Sequence, residues 1–250
     1  MYTQYDLIIA GVAMPFVILF TIGLWFLLRK KGKQEQLIPF IIIAVLFVAL
    51  EIMKQVSGLT RESGYNQFFI PLHICSVFLY SLPFAVFFKQ GGRVSNTAWT
   101  ITLFVGLMVT LTMLIAPSQV IGQQSQSIIT GMRQDTLLID LHSVIYHYLV
   151  ILMFALMVIF RPYRPVLKDY FMGTIIFALF LGFSLMMATI LGVNFADFRQ
   201  TDLVGLIDFG TNAIWVQLLR IIGYIAVSWI AIAILYFPQG INYLIKTENK

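Results

Sequence analysis

One cysteine and three histidines carry the nucleophilic and proton-transfer chemistry open to this chain. Cys75 lies in the run Phe69-Ile-Pro71-Leu-His73-Ile-Cys75-Ser76, and His73, His142 and His147 all fall in apolar segments rather than in loops. Imidazoles are costly in hydrocarbon, so each is a candidate functional group by default. A thiol beside an imidazole is the inventory of nucleophilic catalysis. His73 and Cys75 are two residues apart, about 200° around a regular helix, and cannot face each other on one. Pro71 is the preferred kind of residue for a first helical position, and it pushes the residue before it to extended conformation. A helix is therefore predicted to begin at Pro71, with Cys75 just past its first turn. Free amides and the positive end of the dipole favour thiolate there, but the effect fades within a turn. The base must come from another helix. His142 sits about as deep in its own apolar segment as Cys75 does in its segment, which is what a Cys–His pair requires. His147 is five residues on, about 140° around the helix, so the two do not share a face. A three-histidine zinc site would need that helix to be irregular, because ligands from one helix normally lie four apart. No metal and no cofactor is expected. A lone cysteine also permits no internal disulfide.

The elements that must position these groups are membrane spans. The chain is 60% hydrophobic and 11% charged, with a mean hydropathy of +0.89, which is outside the range of soluble domains. Seven apolar stretches approach the roughly 20 residues that a helical span needs. They cover residues 7–28, 37–53, 68–88, 98–116, 137–160, 170–191 and 213–237. The expected fold is all-α, a seven-transmembrane-helix bundle forming a single domain over 1–250. The loop at 117–136 is polar and too short for a core of its own. The first segment does not read as a signal peptide, since its basic cluster, Arg29 to Lys33, follows the apolar run. Arg29, Lys30, Lys31, Lys33, Lys89, Arg93, Arg161, Arg164, Lys168, Lys246 and Lys250 fall on one side of the bundle. Only Lys54, Arg61, Arg133 and Arg199 fall on the other, and Arg220 lies inside the last span. The positive-inside rule then puts the N-terminus outside and the C-terminus in the cytoplasm. The net charge of +5 follows from this topology, so no nucleic-acid partner is expected.

That orientation sorts the polar residues by depth. Glu51 and Lys54 come at the outer end of span 2, and His73 and Cys75 in the outer part of span 3. Asp140 and His142 lie near the outer end of span 5, with His147 about mid-depth at ~1.5 Å per residue. Asn194, Asp197, Asp202 and Asp208 belong to the outer loop before span 7. Asn212 begins that span, and Gln217 and Arg220 lie deeper. The cytoplasmic halves are almost purely apolar. A path across the membrane would place polar groups at every depth, so a cavity open to the outer leaflet or outer solution fits better. Each residue also has a structural reading. Glu51 and Lys54, three apart, form an interfacial ion pair. Asp140 complements a helix dipole. His147 bonds to Ser143 one turn earlier. Arg220 partners Asp208 or Glu51, and an intramembrane cysteine is a small buried hydrophobe. The aromatic residues read as packing and interfacial belts.

Several short signals resemble the YwaF-like family of integral membrane proteins over the whole chain. They are Pro71-Leu-His-Ile-Cys75, the stretch from Gly106 to Pro117, the His142 region, Arg161-Pro162, and Gly192-Val-Asn194-Phe195. The family usually has Gly-x-Asn-Tyr at the last of these. The chain also keeps only Trp215 of a proline- and tryptophan-rich start to the final span. Eukaryotic relatives include a cysteine-dependent phospholipid acyltransferase, and intramembrane lipid hydrolases with a hydroxyl nucleophile and a histidine are more distantly similar. The resemblance implies Cys75 as acyl acceptor and His142 as base.

The function expected is lipid acyl transfer or acyl hydrolysis from the outer-leaflet side of the cell membrane, with membrane lipids as partners. His73 would bind substrate or the oxyanion, and Asn194 or Arg220 would anchor a phosphate headgroup. His147 is assigned to the same neighbourhood. The alternative is a transporter or small-ligand binding protein using Glu51, Lys54, Asp140 and Arg220 in the same cavity. The lack of a polar inner exit and of an inverted repeat weighs against it. A retinal protein is excluded, because the last span has no lysine for a Schiff base.

Overall fold

The first helix starts where its sequence supplies a cap. Thr3 accepts from the Asp6 amide, and the Asp6 carboxylate accepts from the Thr3 amide, which closes a capping box at the head of α1, Gln4–Leu28. The computed structural model describes residues 3–62, 64–132, 136–163, 166–195, 202–203, 207–208, 214–227 and 229–230. Its further helices are α2 (Lys33–Leu59), α3 (Val77–Phe87), α4 (Arg93–Ile115), α5 (Ser118–Thr130), α6 (Leu137–Phe160) and α7 (Leu167–Leu191). The helix Ile214–Val227, α8, follows. Two 3₁₀ turns, Gln67–Phe69 and Ile74–Ser76, and a two-residue antiparallel pairing of Asp202–Leu203 with Ile207–Asp208 accompany the helices. The expectations at Arg133, Arg164, Asp197, Arg199, Asn212, Lys246 and Lys250 lie outside the described residues, as do the side chains of Asp202 and Asp208.

Five helices, α1, α2, α4, α6 and α7, are long and apolar enough to cross a bilayer. Two shorter apolar helices, Ile74–Phe87 and Ile214–Val227, accompany them. Large apolar side chains such as Leu19, Leu27, Leu179 and Ile190 are exposed along the long helices, as a lipid-facing surface requires. Together with the length of the helices this describes a multi-pass membrane protein. The core lies between α4 and α6. α4 packs on α3, α6 and α7, while α6 also touches α1, α2 and α5. Phe40, Phe47, Phe78, Trp99, Phe104 and Phe177 are fully or almost fully buried there. Small polar groups tie α3 to α4. The Ser81 and Thr102 hydroxyls lie 2.9 Å apart, and Ser95 donates to the Ala85 carbonyl at 2.7 Å.

Two differences from the sequence-based expectation change the elements themselves. The segment expected to be helical from Pro71 is not. Regular α-helix begins only at Val77, after the 3₁₀ turn Ile74–Ser76. At 1.5 Å per residue α3 is about 16 Å long, roughly half a bilayer core. The expected loop 117–136 instead contains α5, a polar helix that buries Ile121, Ser125 and Ser127 and packs on α1 and α6. Its sequence has no long apolar run, so hydropathy alone passes over it.

Candidate functional site

The candidate site grows out of the broken third segment. Residues 64–76 run without α-helix beside the end of α2, and non-helical backbone at membrane depth needs partners for its carbonyls. Side chains from three elements supply such partners. Gln55 of α2 donates to the Phe69 carbonyl at 2.8 Å. Tyr80 of α3 donates to Pro71 at 3.1 Å, and Tyr146 of α6 donates to Cys75 at 3.2 Å. Within the segment His73 Nε2 donates to Phe68 at 3.3 Å. Gly58 permits the close approach: a Cβ there would meet the Phe69 ring at 2.8 Å.

Cys75 is therefore held in the first turn of a short helix, partly buried. The turn starts from His73, whose extended backbone (φ −77°, ψ 157°) precedes it. His73 and Cys75 do not lie on one α-helix, so the about 200° separation expected for them does not apply. Instead His73 lies partly exposed between Phe68 and Phe195, with ring centroids at 4.4 and 5.5 Å. Phe195 reaches it because Gly192 ends α7 in the left-handed region (φ 70°) and turns the chain back. Asn194 sits in that turn, next to the fully buried Phe195.

Glu51, Lys54 and Gln55 lie in the last turns of α2, which extends to Leu59, beyond the expected end at 53. Lys54 Nζ is 2.8 Å from Glu51 Oε2, the ion pair expected from their spacing. Both residues are buried, at 9% and 7% exposure. Gln55 Nε2 also donates to Glu51 Oε1 at 2.6 Å, and Tyr65 donates to Gln55 Oε1 at 2.6 Å. Burial first, and the Glu51 charge second, raise the Tyr65 phenol pKa above its ordinary value.

Across from this network stands α6. His142 Nε2 is 3.8 Å from Glu51 Oε2 and, among the described residues, has no hydrogen-bond partner. Tyr146, one turn on, lies on the same face, with its ring 5.5 Å from that of His142 and 4.4 Å from that of Phe47. Tyr146 thus joins the Cys75 turn to the His142 face. Beyond the packing expected of the aromatic residues, Tyr146 makes a hydroxyl bond between two elements. Its signal in the sequence is its position four residues after His142. His147 bonds through Nδ1 to the Ser143 carbonyl at 2.7 Å, one turn earlier as expected, which leaves Nε2 free to accept. Asp140, buried in the first turn of α6, accepts from Thr136 at 3.0 Å. Arg220 is buried on α8, and Trp229, farther along the chain, donates to Thr174 of α7 at 2.9 Å.

The structure thus gathers Glu51, Lys54, His73, Cys75 and His142 where the end of α2 meets the starts of α3 and α6. Among the described residues no group of three His, Cys, Asp or Glu side chains is placed to hold a metal ion.

The model of the TMEM164 family matches residues 1–237. The chain belongs to the TMEM164 family. No curated protein and no solved structure matches it. Family membership agrees with the multi-pass architecture, and the match takes in all of the site residues from Glu51 to Arg220.

Proposed function

We propose that this TMEM164-family protein is an integral-membrane enzyme of lipid acyl chemistry, with Cys75 as nucleophile and His142 as base. The observation that carries the reading is the Tyr146 bond to the Cys75 carbonyl, which ties the backbone of the chain's one cysteine to the helix that bears His142. The likeness of Pro71-Leu-His-Ile-Cys75 to the YwaF-like pattern, and through it to cysteine-dependent phospholipid acyltransferases, supports the same assignment. His142 takes the thiol proton, and the Cys75 thiolate attacks the ester carbonyl carbon of a membrane lipid. The tetrahedral adduct collapses, the alcohol leaves with the proton from His142, and an acyl-thioester remains. A second alcohol completes a transfer; water completes a hydrolysis. His73 borders the reacting centre, and Lys54, Asn194 and Arg220 supply polar anchors for a headgroup. Asp140 and His147, on the same helix as His142, belong to the polar surroundings of the site.

In this reading the five long helices and the two shorter ones make seven spans in the cell membrane, with the N-terminus outside and the site in the outer half. Lipid enters laterally between helices. The test is incubation of the purified protein with a phospholipid acyl donor, followed by mass spectrometry of the Cys75 peptide. A hydroxylamine-sensitive acyl adduct is expected, and it is absent in Cys75→Ala. Full turnover by Cys75→Ala would end the thioester mechanism and leave ligand binding or transport through the same polar cavity as the better reading.

A further inference from the structure

We propose that Glu51 is the positioning carboxylate of His142: it fixes the imidazole with Nε2–H toward α2, so that Nδ1 is the nitrogen left to accept the Cys75 proton. The inference rests on the thiol–imidazole reading above and adds a third member to it.

The geometry has three parts. First, His142 is buried at 6% exposure, yet its Nε2 has no hydrogen-bond partner among the described residues. A buried polar atom without a partner is costly and calls for an explanation. Second, Glu51 Oε2 faces that nitrogen at 3.8 Å across the contact between α2 and α6. This exceeds hydrogen-bond length, but catalytic bonds are often long before substrate binds and tighten afterwards. Third, Glu51 is itself held. Lys54 pairs with Oε2 at 2.8 Å, and Gln55 donates to Oε1 at 2.6 Å. Gln55 in turn is fixed by the Phe69 carbonyl and the Tyr65 hydroxyl. A carboxylate that only neutralised Lys54 would need none of this anchoring on the segment that carries Cys75. Nucleophile, base and an orienting third group are the parts that recur in unrelated covalent enzymes.

Other charges face the pair. Lys54 and His147 act electrostatically on His142. Cys75, Tyr65, Tyr80 and Tyr146 lie within the field of Glu51, and His73 within that of Lys54 and His147. A single variant therefore cannot isolate Glu51, and a double-mutant cycle is needed.

Cys75 is the only cysteine, so its alkylation reads one site and needs no substrate. The rate of alkylation by iodoacetamide is measured against pH on the full-length protein in detergent micelles. His142→Ala is expected to slow it about tenfold at neutral pH, equal to one unit along the pH profile. Glu51→Gln, which keeps the side-chain shape, is expected to give a shift of similar size. The double variant is expected to be no slower than either single one. Glu51→Asp keeps the charge and the Lys54 pair but draws the carboxylate back, and an intermediate shift is expected. It also serves if Glu51→Gln does not fold. If His142→Ala shifts the profile while neither Glu51 variant does, or if the effects of Glu51→Gln and His142→Ala add, the Glu51 assignment falls and the thiol–imidazole reading stands. If His142→Ala leaves the profile unchanged, that reading falls and takes this inference with it.

Discussion

Tyr146 donates from α6 to the backbone carbonyl of Cys75 at 3.2 Å, a contact between residues 71 positions apart. The bond is made to a carbonyl in the 3₁₀ turn preceding α3, and it ties that turn to α6. Tyr146→Phe removes the hydroxyl and keeps the ring contact with Phe47. It is expected to cost about 0.5–1.5 kcal/mol, because one part-buried hydrogen bond is lost while the carbonyl keeps the Val77 amide as donor. Thermal melting in detergent measures this, and acyl turnover should fall with it. Wild-type stability together with wild-type turnover would show that the bond positions nothing.

Cys75→Ala should abolish acyl turnover with at most about 1 kcal/mol loss of stability, since one sulfur is removed from a partly polar setting. Cys75→Ser should recover little, because a hydroxyl is a far weaker nucleophile at neutral pH. His142→Ala should lose activity as well. His147→Ala should be milder, as it lies deeper along α6 and on another face than His142. Turnover assays on the four purified variants test the order, and a His147 variant as inactive as the His142 one would reverse the assignment.

Gln55→Leu should destabilise the protein by about 1–3 kcal/mol, because it strips partners from Glu51, the Phe69 carbonyl and the Tyr65 hydroxyl together. Tyr65→Phe removes only the outermost bond, from an exposed side chain, and should cost less than about 1 kcal/mol. Denaturation curves for the two variants check the difference. Equal effects would mean that Gln55 does not hold the segment.

Between α6 and α7 the Tyr163 hydroxyl donates to the Asp169 carboxylate. Burial first, and that bond second, raise the Tyr163 phenol pKa well above its ordinary value. The folded protein keeps this proton at pH values where the unfolded chain has released it. The contribution is complete below about pH 10, the ordinary tyrosine value, and is lost as pH rises through the folded one. Melting temperature should therefore fall on the alkaline side of pH 10, and Tyr163→Phe should flatten that fall. An unchanged alkaline slope in the variant would refute the linkage.

A reporter fused after Lys250 should behave as cytoplasmic, given eleven basic residues on the inner side of the expected topology against Lys54, Arg61, Arg133 and Arg199 outside. An external signal from that fusion would invert the bundle and put the Cys75 site in the inner half.

Hydropathy by itself determined the long helices. α6 has the bounds expected from its apolar run, and α1 and α7 begin three residues earlier than expected. Contacts within one helix were equally legible, because helical spacing sets them: Lys54 on Glu51 three residues back, and His147 on Ser143 four back. Tertiary structure decided what depends on partners far along the chain. The segment at Pro71 stays out of helix because Gln55, Tyr80 and Tyr146 take up its carbonyls, and no local pattern shows that α2 and α6 will supply those donors. Polar α5 exists as an element packed on α1 and α6, without a long apolar run of its own. Phe195 reaches His73 only after Gly192 has reversed the chain. The apolar run fixes where a long helix must exist, since burying backbone in lipid demands internal hydrogen bonds, while α2 outruns its apolar stretch at both ends. How the Cys75 turn sits against α6 is settled only when distant helices pack, because side-chain partners at the break before α3 replace the bonds a regular helix would have made.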